Sequence, residues 1–388
     1  MDFDTSTHKA RWLFDQDALA AKRAEVQQAA AESMKRSREP TPAADDAAAP
    51  PDAKKQRAEP PVSAADEALL RRYFELKIRR ACEDYPLPAK VQATATAYFK
   101  RFFIRRSCLE HDPARIMPAC IYLAAKARAR STLGRNHWVE EVFVGVEDYC
   151  KKMGVDQQAV LRTEVPLLQG LGFDLVVHSP YRALNGLMQE LEDLRAARSP
   201  DLDAPLLAAA PEAVAKLRHG ALKAVPAILD SDAPLLFPPG VLALAALRSG
   251  ARSAGLACTR FLEHAARRAA AARADDRARE RRQGEAGEGI PGGANPPPPR
   301  LALPGGGDGV GDGFQRLVGW MADVDVLVVA AIKEEAGLEQ RAAEADRAIK
   351  LWRIAAAGGG GGGASQGGAA AGAAAGAVAS GSGGVGDL

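Results

Sequence analysis

The sequence predicts an all-α fold: two tandem five-helix units with extra N- and C-terminal helices. Three observations carry this. No run of alternating apolar and polar residues and no strand–turn–strand signature appears. Between 62 and 178, apolar residues recur at steps of three and four, the period of an amphipathic helix. From 179 onward the pattern repeats, including a proline-started third helix rich in small residues.

Glycine and proline set the limits of these parts. Of the 37 glycines, 14 lie in 355–388 and 11 in 284–313, so both stretches read as linker or tail. Residues 39–61, rich in Pro, Ala and charge, read the same way. The division is an N-terminal arm and helix (1–38), a disordered linker (39–61), a first unit (62–178), and a second unit (179–333) with the glycine-rich insertion 284–313. A C-terminal helix (334–356) and a disordered glycine/alanine tail (357–388) follow.

Residues 15–38 read as a helix capped by Asp15 or Asp17, with Leu19, Val26, Ala30 and Met34 on one side. So narrow a stripe is marginal alone and needs a docking surface; Trp12 and Phe14 are placed to anchor it. In the first unit, Asp66 caps a helix carrying Leu70, Tyr73, Phe74 and Ile78. Pro88 opens the next, with Val91, Ala95, Tyr98 and Phe102 at steps of four, three and four. Asp112-Pro113, an N-cap and first-turn proline, precedes Ile116, Cys120, Leu123 and Ala127. Trp138, Val142, Gly145 and Tyr149 mark a fourth helix, and Leu161, Val165 and Leu168 a fifth. After the break at His178-Ser179-Pro180, helices are expected at about 181–197, 209–229 and from Pro238-Pro239, then from about 257 into the Arg-rich stretch 267–282, and at 314–333. Ala243, Ala245 and Ala246 stand where the first unit has Ala119, Ala124 and Ala125; a helix of small residues suits the middle of a bundle.

The chain has 388 residues, 47% of them hydrophobic but only 5% aromatic, so the core is built mainly from Ala, Leu and Val. The net charge of +2 argues against attachment to nucleic acid or anionic membrane by bulk charge. No secretion signal or spanning segment is read in it: the longest apolar stretch, around 241–256, is broken by Arg248 and Arg252. Cys82, Cys108, Cys120, Cys150 and Cys258 form no CxxC pair, which fits reduced thiols and no metal site. No two of the six His stand at i, i+4, and GxSxG, GxxxxGK[ST] and a strand-borne GxGxxG are absent, so enzymatic chemistry has no support and no cofactor is expected. Residues 62–178 carry 18 Lys/Arg against 14 Asp/Glu; Lys100, Arg101, Arg105 and Arg106, then Lys126, Arg128 and Arg130, gather at helix C-terminal ends. Lys54-Lys55-Gln56-Arg57 has the form of a short nuclear-import patch.

Four stretches resemble the cyclin family, and within it the H-type cyclins. Ser6–Phe14 (STHKARWLF) is similar to the N-terminal signature of that branch; 96–103 (TAYFKRFF) to the second helix of a cyclin box; 171–182 (LGFDLVVHSPYR) to the end of the first box and bridge to the second; and 231–247 (SDAPLLFPPGVLALAAL) to plant H-type second boxes. The resemblance covers about 6–264 and, more loosely, 314–354. It implies two cyclin boxes and a regulatory subunit that is not itself an enzyme. The implied partners are a cyclin-dependent kinase of the seventh type, a RING-finger assembly subunit and general transcription factor IIH. The implied setting is the nucleus, and the implied outcome is phosphorylation of other cyclin-dependent kinases and of the RNA polymerase II C-terminal repeats. The alternatives are a C-type transcriptional cyclin or a two-repeat DNA-binding factor related to factor IIB; the N-terminal signature speaks against the first, the near-zero charge and missing zinc ribbon against the second.

By the same resemblance Lys126 matches the lysine ending the third box helix and Glu164 the glutamate of the fifth, the two that face the kinase in the family, with Leu123, Leu168, Phe173 and Leu175 supplying apolar contacts. Two departures stand out. Arg128 and Ala129 replace the acidic residues that commonly follow the lysine, and Pro166 predicts that the fifth helix starts late or kinks, displacing Glu164.

Overall fold

The computed structural model describes residues 3–36, 63–129, 145–269, 271 and 310–357, and all its regular elements there are helices. The first unit holds α3 (Ala64–Asp84), α4 (Ala89–Arg105), α5 (Pro113–Ala129), α6 (Val146–Met153) and α7 (Gln157–Gly170). α4 is its centre: Val91, Ala95, Tyr98, Phe99, Phe102 and Phe103 are all buried, and α3, α5 and α7 pack around them. The expected stripes of α3, α4 and α5 do face this core. Asp112 caps α5 as expected, its Oδ1 accepting the Ala114 N–H at 2.9 Å. The cap of α3 is different. Ser63 is the N-cap, Asp66 is the reciprocating third residue, and the two form a capping box. Trp138 and Val142 lie outside the described residues, as do 39–61, 284–309 and 358–388.

The second unit holds α8 (Pro180–Ala196), α9 (Ala204–Leu207), α10 (Pro211–Asp230), α11 (Ala233–Leu236), α12 (Pro239–Ala254), α13 (259–269) and α14 (Val310–Glu334). Its centre is α12, whose Ala243, Ala245 and Ala246 are buried as the small-residue pattern required. The four-residue helices α9 and α11 were not anticipated; each is the same peptide, Ala-Pro-Leu-Leu preceded by Asp, too short to show a helical period. α14 opens at Val310, inside the stretch read as insertion. The C-terminal helix α15 (Leu338–Ala357) starts about a turn later than expected, after Gly337 at φ +72°. α15 returns to the first unit, where Ala342, Ala345, Ile349 and Trp352 join the core and Arg353 Nε donates to the Leu109 carbonyl at 2.9 Å.

The N-terminal arm forms α1 (Thr7–Trp12) and α2 (Gln16–Arg36). α2 docks by Leu19, which meets Ile104 and Leu235, and by Ala30 and Ala31, which join the first core. Its Arg23 makes two 2.7 Å bonds to Asp232, just before α11.

Charge is buried where these parts meet. Lys100 Nζ lies 2.5 Å from Glu75 Oε2 with both side chains in the interior, and Arg79 pairs with the buried Asp230 at the end of α10. Lys100 and Arg101 are thus not part of a surface basic cluster, as their place near a helix end suggested; only Arg105 and Arg106 are exposed. The physical reason is that each is satisfied by partners elsewhere in the chain: Lys100 is neutralised by Glu75, and Arg101 donates to the backbone carbonyls of 174 and 176.

Candidate functional site

The site is built on the C-terminal half of α5 and on α7. Asp156 caps α7, its carboxylate accepting the N–H groups of Gln158 and Ala159. The helix then runs from Gln157 through Pro166 to Gly170, so the expected late start does not occur. Pro166 is exposed, and so is Arg162, whose carbonyl loses its helical donor. Glu164 therefore keeps its place on the helix. It accepts a hydrogen bond from Lys126 Nζ of α5 at 2.7 Å, with side-chain exposures of 18% and 50%. The ammonium also lies over the ring of Tyr122, 5.8 Å from its centroid.

The apolar residues of α7 reverse the sequence expectation. Leu161, Val165 and Leu168 have helical spacing and read as a core stripe. The core is instead met by Val160, Leu167, Gly170 and Leu171. Leu161 is exposed and Val165 is 58% exposed, so these two flank Glu164 on the outward face, while Leu168 is half-buried and packs against the first core. Leu161 and Val165 are therefore surface residues that sequence reasoning assigned to the interior; the signal that separates them is the excess of apolar residues, which leaves α7 with more than one apolar face.

α7 ends in a Schellman turn. Gly172 takes φ +60°, and the Phe173 N–H returns to the Leu168 carbonyl at 3.0 Å. Phe173 itself is also left-handed, at φ +60°, with its side chain 66% exposed. Of the other expected contacts, Leu175 is half-buried, and Leu123 is buried in the first core, where it offers the surface little. The structure thus joins Lys126 and Glu164, places Leu168 and Phe173 beside them in sequence and exposure, and turns Leu123 inward.

A helical chain of two stacked units with an apolar, charge-centred face is a binding module. Residues 65–176 match the family model "Cyclin, N-terminal domain", and 179–288 match "Cyclin C-terminal domain". The chain is 33% identical over 255 residues to Cyclin-H1-1 of Arabidopsis thaliana, covering 64% of this chain and 70% of that protein. It is 31% identical over 206 residues to Cyclin-H of Xenopus laevis, covering 51% of this chain and 56% of that one. A chain in the structure of the CAK complex of Chaetomium thermophilum shares the fold, with a TM-score of 0.57 at 19% identity over 91% of this chain and 93% of that one. The chain belongs to the cyclin family, in its H-type branch.

Proposed function

We propose that this cyclin is the regulatory subunit of a cyclin-dependent kinase of the CDK-activating, transcription factor IIH type. The observation that carries the reading is the pair of exposed apolar residues on α7, Leu161 and Val165, with the half-buried Leu168 and the exposed Phe173 after them in the chain and the Lys126–Glu164 pair on the same helix. Exposed apolar surface covered by a partner gains about 25 cal/mol per Å², and a contiguous patch of this kind on a soluble chain marks an interaction surface. Kinase chemistry requires the strand lysine to meet the glutamate of helix C, and the position of that helix is a switchable element. A rigid two-box bundle pressed on helix C through α5 and α7 holds it in place. The kinship to H-type cyclins supports a kinase of the seventh type as partner, with a RING-finger subunit completing the assembly, nuclear residence, and phosphorylation of other cyclin-dependent kinases and of the RNA polymerase II C-terminal repeats.

The test is binding of that kinase by Lys126→Ala and Glu164→Ala. In the free chain the pair is at the surface and contributes under about 1 kcal/mol, so both variants melt as the wild type. Desolvated at an interface, a truncated partner costs about 2–5 kcal/mol, or roughly 30- to several-thousand-fold in affinity. Affinity within threefold of wild type for both places the face elsewhere. Affinity purification identifies the kinase; recovery of a different cyclin-dependent kinase in place of the seventh type would refute the proposed partner. Tight, steeply salt-dependent DNA binding would favour the factor-IIB-like alternative.

A further inference from the structure

The peptide joining the two boxes, residues 171–178, is held from two sides. From within, Arg101 donates to the carbonyls of Asp174 at 3.1 Å and Val176 at 3.2 Å, and the Tyr98 hydroxyl donates to the Leu175 carbonyl at 2.8 Å. From outside, α1 closes on the same stretch. The fully buried Trp12 donates its indole Nε1–H to Asp174 Oδ2 at 3.1 Å, and Arg11 reaches both oxygens of that carboxylate at 3.5 and 3.3 Å. His8 Nδ1 accepts the His178 N–H at 3.1 Å. Burial, with Arg101 and His178 nearby, pulls His8 down to about 2, so this nitrogen stays an acceptor.

Phe173 stands at the outer apex of this peptide, adjacent to Asp174. A left-handed backbone at an aromatic residue is unfavourable alone and persists where its surroundings over-determine it. Here the over-determining bonds fall on the very next residues. We infer that Trp12 is a positioning residue for Phe173: its bond to Asp174 locks the inter-box peptide in the conformation that presents the Phe173 ring to the partner kinase. The inference rests on the kinase-face reading above and adds the arm's part in it: α1 builds the docking face from behind, without touching the partner.

Trp12→Phe removes the bond, with some loss of packing because the indole is fully buried. The Trp12 ring also packs on the guanidinium groups of Arg105 and Arg101, at 4.4 and 5.1 Å, and a phenyl ring keeps such stacking while losing the N–H. Affinity for the seventh-type kinase catalytic subunit is measured with the full chain as wild type, Trp12→Phe, Phe173→Ala and the double variant, together with amide hydrogen exchange of the free chain. Trp12→Phe is expected to weaken binding about tenfold, the order expected for losing one hydrogen bond to a charged group. The double variant is expected to bind within twofold of Phe173→Ala, because the two act in series. Exchange is expected to quicken at 174–178 and nowhere in the cores of either box. Additive losses, unchanged affinity and exchange for Trp12→Phe, or exchange that quickens uniformly across both boxes would each overturn the inference while leaving the kinase-face reading intact. Wild-type affinity of Phe173→Ala would overturn both at this residue.

Discussion

Gly250→Ala tests the close crossing of α10 and α12. A methyl group built at Gly250 would stand 2.3 Å from the Leu217 carbonyl oxygen, 2.6 Å from the Ala221 nitrogen and 2.9 Å from the Ala221 Cβ. Two of these are backbone atoms of a facing helix, and no rotamer change moves them. Reaching an ordinary separation of about 3.4 Å requires the helices to part by roughly 1 Å, and a gap of that size forfeits a quarter to a half of the local dispersion attraction. The contacts at stake are the buried seam of Leu217, Ala221, Val225, Ala243, Ala246 and Leu247. Overpacking of this kind costs about 1–3 kcal/mol, with backbone clashes at the upper end. Against it stands the helix-propensity gain of about 1 kcal/mol from Gly to Ala. The net is a loss of about 2 kcal/mol. At about 2–4 °C per kcal/mol for a domain of this size, the melting temperature falls by about 4–8 °C. Gly186→Ala is the matched control: Gly186 lies exposed within α8 and a methyl there meets nothing within 4 Å. It receives only the propensity gain and melts about 2–4 °C higher. Calorimetry of the two variants in the full chain reads the difference in sign. A Gly250→Ala chain that melts at or above the wild type would refute the reasoning.

Other perturbations address the buried charges and the docking face. Lys100→Met leaves Glu75 buried with its closest cation removed; an unpaired buried charge costs about 3–5 kcal/mol, so the urea midpoint should drop sharply, and an unchanged midpoint would show that Arg72 alone neutralises Glu75. Burial pushes the Asp230 carboxyl from 3.8 to about 6, against the opposing pull of Arg79, Arg72 and Lys100. The folded chain therefore keeps this proton longer than the unfolded chain, and the contribution of Asp230 to stability declines as pH rises from about 4 to 6. Asp230→Asn should consequently lower the melting temperature less at pH 7.5 than at pH 5, and equal losses at both would contradict the shift. Phe173→Gly removes a left-handed aromatic residue, a relief of about 1–2 kcal/mol, together with an exposed ring; thermal melting should be unimpaired while kinase affinity falls, and a lowered melting temperature would mean the ring serves the fold.

Much of the architecture was legible because it is local. Val91, Ala95, Tyr98 and Phe102 return to one side of α4 through the 3.6-residue turn alone, and all four are buried. Asp112-Pro113 announces α5 because a cap and a first-turn proline satisfy the helix's own first amides. The central place of α12 followed from its small residues, since only side chains of that size admit helices on several sides.

The docking face was legible only in part. Lys126 and Glu164 were singled out by family resemblance, and their bond required α7 to survive Pro166, which depends on that proline facing solvent. Leu161 and Val165 have the spacing of a core stripe, and so do the residues one step along, Val160 and Leu167. A helix apolar on more than one face does not tell which face a neighbour covers; the packing of α5 and α4 against Val160 and Leu167 makes that choice.

What the sequence by itself determined is therefore the longer helices and the two-box repeat, together with a resemblance to the cyclin family. The helices rest on hydrogen bonds and side-chain periods that close within a few residues, and the family on the resemblance of four short stretches. What only the tertiary structure decided is which charges go inside and what holds the face. Glu75 finds Lys100 25 residues away, Arg23 finds Asp232 at 209, and Trp12 finds Asp174 at 162. Each contact joins groups that only the fold brings within hydrogen-bonding distance, where the bond formed offsets the cost of taking a charge out of water, and no short window of sequence contains both.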